Sequence, residues 1–220
     1  MIGANTLLMG GPGTGKTHSA ITLIRALREV NKDAKMLCIF TEPRWQPLVH
    51  IGCAGGMHIA YQPPGTGGWA EMMKRSEDLT KMSWDAITKK SDPKKSSYTG
   101  FLHLLGICNN FVCRECKEEF GNVTEQEPYD VIWLDSLTGL NTLAMQMVVG
   151  GAVSRSQPQW GAAMESEMQV VNQLCFDTQS WFVMISHLDK KLDEVNGGML
   201  IKPMPSGLRT VNTWPTTSTM

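Results

Sequence analysis

The stretch Gly10-Gly11-Pro12-Gly13-Thr14-Gly15-Lys16-Thr17 decides how the rest of the chain is interpreted. It fits the pattern G-x-x-x-x-G-K-[ST] at every fixed position. An apolar stretch suited to a buried strand precedes it at residues 4–9, and apolar residues at helical spacing follow it at 21–30. A loop between a strand and a helix is the context that a phosphate-binding loop requires, whereas a glycine-rich turn with an incidental lysine does not need it.

The residue types in this loop match the chemistry of phosphate binding. Glycines let successive backbone N–H groups point into one concavity, and the positive end of the following helix dipole points to the same place. Lys16 is expected to bridge the β- and γ-phosphates of ATP, and the Thr17 hydroxyl to bind Mg²⁺. The predicted nucleotide-binding residues are Gly11, Pro12, Gly13, Thr14, Gly15, Lys16, Thr17 and His18.

Length and composition describe a globular chain of about one domain. The 220 residues are 42% hydrophobic and 19% charged, which excludes a disordered polyelectrolyte. The formal net charge of −1 excludes nucleic-acid binding through overall charge, so any contact with DNA must come from a local patch. The longest apolar runs, such as residues 181–185, are too short to span a membrane. The chain has six cysteines, and its N-terminus does not resemble a signal peptide. These two features predict reduced thiols and a cytoplasmic location.

Strands alternate with helices along the chain. Apolar stretches suited to buried strands lie at 4–9, 35–40, 57–61, 129–135 and 180–187, and helical patterns at 69–90, 101–111, 137–147 and 160–178. Met199-Leu200-Ile201 favours a hairpin after the last strand. This alternation predicts an α/β fold with a mostly parallel sheet flanked by helices, which binds ligands at the carboxyl ends of its strands.

One predicted strand ends in an acid that suits a metal site. Val131-Ile132-Trp133-Leu134 leads directly into Asp135. Together with a phosphate-binding loop, an aspartate in this position is expected to order Mg²⁺ through its water shell. The alternative is an aspartate that caps the helix beginning near Leu137.

Two further polar residues end predicted strands. AAA+ ATPases usually place the water-activating glutamate directly after the aspartate, but Ser136 stands there, so the base must come from elsewhere. Glu42 is the candidate general base, with a surface acid as the alternative. His187 is the candidate sensor of the γ-phosphate, with a strand-end cap as the alternative.

The order of these motifs resembles that of the RecA-like ATPases. That family shows a P-loop, a strand ending in glutamate, a strand ending in Asp-Ser and a strand ending in a polar sensor. More narrowly, the chain is similar to phage-encoded RecA-like nucleotide-binding proteins linked to single-strand annealing and recombination, through residues 134–140, 159–161, 186–188 and 193–198. The resemblance covers most of residues 4–202, while residues 44–127 match little in RecA itself.

The resemblance implies a single RecA-like ATPase domain at 1–212, with an insertion at about 44–128 and a flexible tail at 213–220. It implies hydrolysis of the β–γ bond of ATP, with Lys16, Glu42 and His187 as catalytic residues and Thr17 and Asp135 at the Mg²⁺ ion. ATP turnover would be coupled to single-stranded DNA in phage recombination or replication. The chain would act as a homo-oligomer in the host cytoplasm and would interact with other phage recombination or replication proteins.

Two other functions stay open on the sequence. One is a nucleotide-gated DNA-binding or scaffold protein with negligible turnover. The other is a P-loop kinase that phosphorylates a small molecule. A kinase needs arginines in a lid over the phosphates, and the arginines of this chain are few and scattered, which counts against it.

Cys108, Cys113 and Cys116, with His103 upstream, have two interpretations. They are either a zinc site or reduced thiols on a helix and a turn, and the second is favoured because only Cys113 and Cys116 have the spacing of a ligand pair. The remaining cysteines, at 38, 53 and 175, are interpreted as ordinary cysteines in apolar positions.

Basic residues suggest two contact regions. Residues 74–95, near Trp69 and Trp84, hold a basic patch that suits single-stranded DNA or a solvated helix face. In RecA-like assemblies, basic residues in the region of Lys190, Lys191 and Arg209 reach the γ-phosphate bound by a neighbouring subunit, and the alternative is a set of surface cations.

Overall fold

The computed structural model describes residues 3–43, 45–61, 73, 77, 81, 99–150, 157–193 and 198–203, with the backbone alone for 189–193 and 198–203. Within these residues, five parallel strands form the main sheet in the spatial order β1-β7-β6-β2-β3. Their bounds are β1 Asn5–Gly10, β2 Met36–Phe40, β3 Met57–Tyr61, β6 Val131–Asp135 and β7 Trp181–Asp193. Three shorter strands are β4 Phe111–Val112, β5 Glu119–Gly121 and β8 Gly198–Pro203. The predicted α/β fold with a mostly parallel sheet is confirmed.

Helices cover both faces of the sheet. The four described helices are α1 Lys16–Val30, α2 Gly100–Asn109, α3 Leu137–Val149 and α4 Gln157–Phe176, and short 3-10 turns lie at Gln46–Leu48, Cys53–Gly55 and Val123–Glu125. Helix α1 packs on one face, whereas α2, α3 and α4 pack on the other. The predicted helix at 69–90 lies outside the described residues except for positions 73, 77 and 81.

The strand sequences explain this two-sided burial. In β2, Met36, Cys38 and Phe40 face α1, and the intervening Leu37 and Ile39 face the other three helices. Strands β6 and β7 alternate in the same way. A parallel strand with a helix layer on each face needs apolar residues at every position, so these strands read as continuous apolar runs.

The pairing register brings the predicted site residues to one edge. Phe40 pairs with Asp135, Asp135 pairs with Ile185, and Gly10 pairs with His187. Because all these strands are parallel, their carboxyl ends meet at the same edge of the sheet. The glycine-rich loop, the tips of β2 and β6 and the part of β7 around His187 are therefore neighbours.

Three local predictions needed correction. The helix predicted at 101–111 ends at Asn109, because Phe111 and Val112 pair with β5. The acidic stretch at 115–130 is expected from its sequence to be a solvated connection, but it contains β5 and a 3-10 turn. His187 does not end its strand, because β7 continues to Asp193 and pairs antiparallel with β8, which forms the predicted hairpin.

Part of the predicted insertion at 44–128 lies in the main sheet. Strand β3 pairs with β2 along its whole length, whereas β4 and β5 form a separate two-stranded sheet. The predicted tail at 213–220 lies outside the described residues. Among the helices that the structure describes, none combines the length and the apolarity needed to cross a bilayer.

Candidate functional site

The loop between β1 and α1 depends on glycine at two left-handed positions. Gly13 has φ 75° and Gly15 has φ 84°, a region that side-chain-bearing residues rarely adopt. Gly10 has a different role, since a Cβ there would lie 2.6 Å from Thr14 Oγ1 and 3.3 Å from Lys16 Cδ. The loop is therefore both tightly curled and closely packed.

Lys16 lies folded against this loop. Its ammonium group donates to the carbonyl oxygens of Gly10 at 2.8 Å and Gly11 at 2.7 Å. Lys16 is also the first residue of α1, and among the described residues no side chain caps that end of the helix. The positive charge and the uncapped N–H groups of the first turn lie at one place, where an anion is favoured.

Thr17 and Asp135 meet across 118 residues of sequence. The Thr17 hydroxyl donates to Asp135 Oδ2 at 2.6 Å. Asp135 shares the face of β6 that carries Val131 and Trp133, and this face is turned toward α1. The alternation of β6 therefore directs the carboxylate toward the start of α1.

The Asp135 carboxyl group is buried beside other ionisable groups. Burial raises its pKa above the ordinary value and the Glu42 carboxylate adds to this rise, whereas the hydrogen bond from Thr17 and the electrostatic effects of His187 and Lys16 oppose it. A cation bound here would favour the ionised carboxylate for the same electrostatic reason. A hydroxyl and a carboxylate are oxygen ligands of the kind that Mg²⁺ prefers.

Glu42 lies beside this pair, at the tip of β2. Its Oε1 accepts a hydrogen bond from the Ser136 hydroxyl at 2.8 Å and lies 3.7 Å from His187 Nε2. The same Ser136 hydroxyl accepts from the backbone N–H of Gly139 at 3.2 Å, which makes it the N-cap of α3. Ser136, rather than Asp135, thus caps this helix.

The tips of β2 and β6 are locked together by backbone and side-chain contacts. The Thr41 hydroxyl accepts from the Ser136 N–H at 2.8 Å and donates to the Ser136 carbonyl at 3.0 Å. The Thr41 N–H donates to the Asp135 carbonyl at 2.8 Å. These bonds fix Glu42, the next residue of the chain, relative to Asp135.

A cavity of about 470 Å³ opens at this edge of the sheet, a volume in the range of small-ligand sites. Seven of the eight residues predicted to bind nucleotide line it, all except Gly11, together with Asp135 and His187. The sequence interpretation missed Gln46 and Pro47, in the 3-10 turn after β2, and Ile185 of β7. Their only sequence signal is that they follow or precede strand tips already assigned to the site. The residues lining the cavity are Pro12, Gly13, Thr14, Gly15, Lys16, Thr17, His18, Gln46, Pro47, Asp135, Ile185 and His187.

A second set of ligand atoms lies elsewhere in the fold and can hold a metal ion. Atoms of Cys53, His58, Cys113 and Cys116 all lie within 4.8 Å of one another. Burial lowers the pKa of the His58 imidazole, as do Lys35 and Arg28. Burial raises the pKa of the Cys113 thiol, but hydrogen bonds from neighbouring backbone groups outweigh it, so that the net shift is downward.

The structure corrects the predicted membership of this cluster. Cys108 lies on α2, where burial raises the pKa of its thiol to about 12, and His103 is exposed on the same helix. Cys53, interpreted from the sequence as an ordinary apolar cysteine, belongs to the cluster. The spacing of the cysteines along the sequence indicated only the pair Cys113 and Cys116. The other two ligands, Cys53 and His58, come from a distant part of the chain that the fold brings close.

The predicted contact regions for DNA and for a neighbouring subunit fall largely outside the described part of the chain. Residues 74–95 are described only at positions 77 and 81, and Trp69, Trp84 and Arg209 lie outside it. Lys190 and Lys191 lie in the arm of β7 whose backbone alone is described.

Comparison with known proteins found no match to this chain among protein-family models or among curated sequences.

Proposed function

We propose that this chain is a RecA-like P-loop ATPase, which binds ATP with Mg²⁺ and transfers the γ-phosphoryl group to water. The observation that carries the proposal is the meeting of Lys16, Thr17 and Asp135 at one cavity on the carboxyl edge of a parallel sheet, with Glu42 held beside them by the Ser136 hydroxyl. These residues come from three separate strand tips, and each supplies a group that phosphoryl transfer needs.

The loop and α1 provide phosphate binding. The ammonium group of Lys16 can exchange its carbonyl acceptors in the loop for phosphate oxygens, which are stronger, charged acceptors. The N–H groups of residues 13–17 and the positive end of α1 add further donors. Thr17 and Asp135 would hold Mg²⁺, which neutralises charge on the β- and γ-phosphate oxygens when it is bound.

Glu42 has the position and the partners of a general base. It accepts the proton of the attacking water while the bond between the γ-phosphorus and the bridging oxygen breaks and ADP leaves. The hydrogen bond from Ser136 occupies one side of Oε1 and fixes the direction of the carboxylate. His187, 3.7 Å from the same oxygen, would stabilise the charge of the base when protonated.

His187 also gives the site a route to a distant element. It is the last residue of β7 that pairs with β1, and the strand runs on without a break into the antiparallel hairpin with β8. A change at His187 on loss of the γ-phosphate would therefore be passed along a continuous strand to the hairpin. In line with the sequence resemblance, we propose that this coupling acts on single-stranded DNA in phage recombination or replication, within a homo-oligomer.

The test is release of phosphate from ATP by the purified chain, with and without single-stranded DNA. Lys16→Ala should abolish hydrolysis and weaken ATP binding, whereas Arg25→Ala, on the exposed side of α1, should leave both intact. Normal turnover by Lys16→Ala would contradict the assignment. Phosphate appearing on an added small-molecule acceptor would indicate a kinase, and ATP binding without turnover would indicate a nucleotide-gated binding protein.

A further inference from the structure

The cluster of Cys53, His58, Cys113 and Cys116 lies around the start of β3, the edge strand of the main sheet, and takes no part in the site at the glycine-rich loop. Cys53 lies in a 3-10 turn before β3, and His58 is the second residue of β3. Cys113 follows β4, and Cys116 lies in the turn between β4 and β5. We propose that these four side chains bind one Zn²⁺ ion, which ties the start of β3 to the β4–β5 hairpin.

The distances fit tetrahedral coordination. With Zn–S bonds of about 2.3 Å and Zn–N bonds of about 2.0–2.1 Å, tetrahedral geometry requires S···S separations of about 3.8 Å and S···N separations of about 3.6 Å. The Cys53 and Cys113 sulfurs are 3.6 Å apart, and the Cys116 sulfur is 3.6 Å from His58 Nδ1. The other pairs of ligand atoms lie within 4.8 Å of one another, so a metal ion can enter if these pairs close by at most about 1 Å.

Local backbone structure holds the ligands in place. The Cys113 N–H donates to the Glu118 carbonyl at 2.8 Å, and the Lys117 N–H donates to the Cys113 carbonyl at 3.0 Å. Lys117 adopts a left-handed conformation, with φ 63°. These contacts close a tight turn that presents both sulfurs on one side, as expected for a C-x₂-C ligand pair.

Two contacts position this turn against β3. The Arg114 N–H donates to the Ile59 carbonyl at 2.8 Å. The His58 ring packs on the Phe120 ring with centroids 4.3 Å apart, which fixes the orientation of the imidazole. A ligand whose ring is held in this way loses little freedom when it binds a metal.

The ligand types select the metal. Three sulfurs and one imidazole nitrogen suit zinc, whereas Mg²⁺ and Ca²⁺ require oxygen ligands. All four positions are filled by protein, which is the pattern of a structural rather than a catalytic zinc site. His58 and Cys113 are buried and Cys116 is exposed, so the site is accessible from one side.

The placement of the ligands along the chain indicates what the ion does. Cys53 and His58 precede the long segment between β3 and α2, and the other two cysteines follow it. A bound ion closes this part of the chain into a loop and reduces the freedom of its ends. Zinc is therefore expected to stabilise the β4–β5 hairpin against β3, independently of nucleotide binding.

The experiment measures metal binding by the full chain under reducing conditions. The purified protein should contain one equivalent of zinc, and after its removal by a chelator Co²⁺ should give the charge-transfer and ligand-field bands of a tetrahedral thiolate site. Zinc should displace the cobalt, and chelation should lower the melting temperature.

Matched variants locate the site. Cys116→Ala changes an exposed ligand and should lower the affinity for Co²⁺ by more than about 100-fold, since even groups that only support a ligand contribute about 10- to 100-fold. Cys108→Ala and His103→Ala, two substitutions on α2, should leave the affinity for Co²⁺ equal to that of the unmodified chain. Cys53→Ala provides a second test at the other end of the cluster.

Three results would overturn the proposal. One is a cobalt complex without thiolate charge transfer in the unmodified chain. Another is unchanged cobalt affinity in both Cys116→Ala and Cys53→Ala. The third is a Cys53–Cys113 disulfide, detected by mass spectrometry of alkylated protein, as the form that the chain adopts when purified under reducing conditions.

Discussion

The hydroxyl group of Ser136 donates a hydrogen bond to Glu42 Oε1 at 2.8 Å, although 94 positions separate the two residues in the chain. The same hydroxyl caps α3 through the Gly139 N–H. One buried serine therefore joins the tip of β2, the tip of β6 and the start of a helix on the far face of the sheet. This geometry gives Glu42 a fixed direction beside His187, which lines the cavity.

The first prediction concerns Glu42 itself. Glu42→Gln should leave ATP binding close to normal and lower the turnover number by roughly 10²–10⁴-fold, the usual contribution of a general base. An amide keeps the size of the side chain but cannot take a proton from water. Binding is measured by titration with labelled nucleotide, and turnover is measured by phosphate release. The control is Glu29→Gln, at an exposed position of α1. Undiminished hydrolysis would place the base elsewhere.

The second prediction separates a positioning role from a catalytic one. Ser136→Ala should lower the turnover number less than Glu42→Gln does, and it should also destabilise the fold by about 1 kcal/mol through loss of the helix cap. In a chain that already carries Glu42→Gln, Ser136→Ala should cause no further loss of turnover, because the serine acts through the glutamate. Additive losses in the double variant would show that Ser136 acts independently.

The third prediction concerns the contact between α3 and β2. A Cβ on Gly139 would overlap Thr41 Oγ1 and lie 2.7 Å from Thr41 Cβ and 3.3 Å from Glu42 Cγ. Gly139→Ala should therefore destabilise the protein by about 1–3 kcal/mol, as overpacking does, and lower ATP turnover by displacing Glu42. Chemical denaturation and phosphate release measure the two effects.

Gly161→Ala is the matched control for this substitution. Gly161 lies within α4, and a Cβ there would have no heavy atom within 4 Å among the described neighbours. Alanine should raise the free energy of unfolding by about 0.5–1 kcal/mol, because it has the higher helix propensity. Equal effects at the two positions would contradict the proposed clash with Thr41.

The fourth prediction concerns pH and Glu167, a fully buried residue of α4. Its Oε2 accepts a hydrogen bond from Asn141 Nδ2 at 2.6 Å, whereas Oε1 has no partner among the described residues. Burial raises the pKa of this carboxyl from 4.5 to about 7, against the opposing effect of the hydrogen bond from Asn141. Between these pH values the folded chain holds a proton that the unfolded chain has lost.

Stability should therefore fall as the pH rises from about 4.5 to 7, by up to about 3 kcal/mol from this group. Glu167→Gln removes the ionisation but keeps a side chain of the same size, so it should flatten this part of the profile. Chemical denaturation across that range gives the measurement, with Glu165→Gln on the exposed side of the same helix as the control. A slope that survives in Glu167→Gln would assign the pH dependence to other groups.

The elements that depend on local pattern follow from the amino-acid sequence alone. Continuous apolar runs predicted strands buried on both faces, and the glycine spacing predicted a tight loop before α1, because these properties follow from neighbouring residues alone. The order of strand-terminal residues also directed attention to Glu42, Asp135 and His187. The sequence pattern could not show that β7 continues beyond His187, because this extension of the strand depends on pairing with β8 rather than on the hydrophobicity of β7.

Which distant side chains meet depends on the packing of the whole chain. Parallel strand register brings Thr17 to Asp135 and Glu42 to Ser136, and the spacing of residues along the chain carries no record of that register. The same holds for the metal ligands, where Cys53 and His58 join Cys113 and Cys116 because the β4–β5 turn packs against β3. Sequence pattern specifies what each segment forms, whereas packing of the whole chain specifies which polar groups share one site.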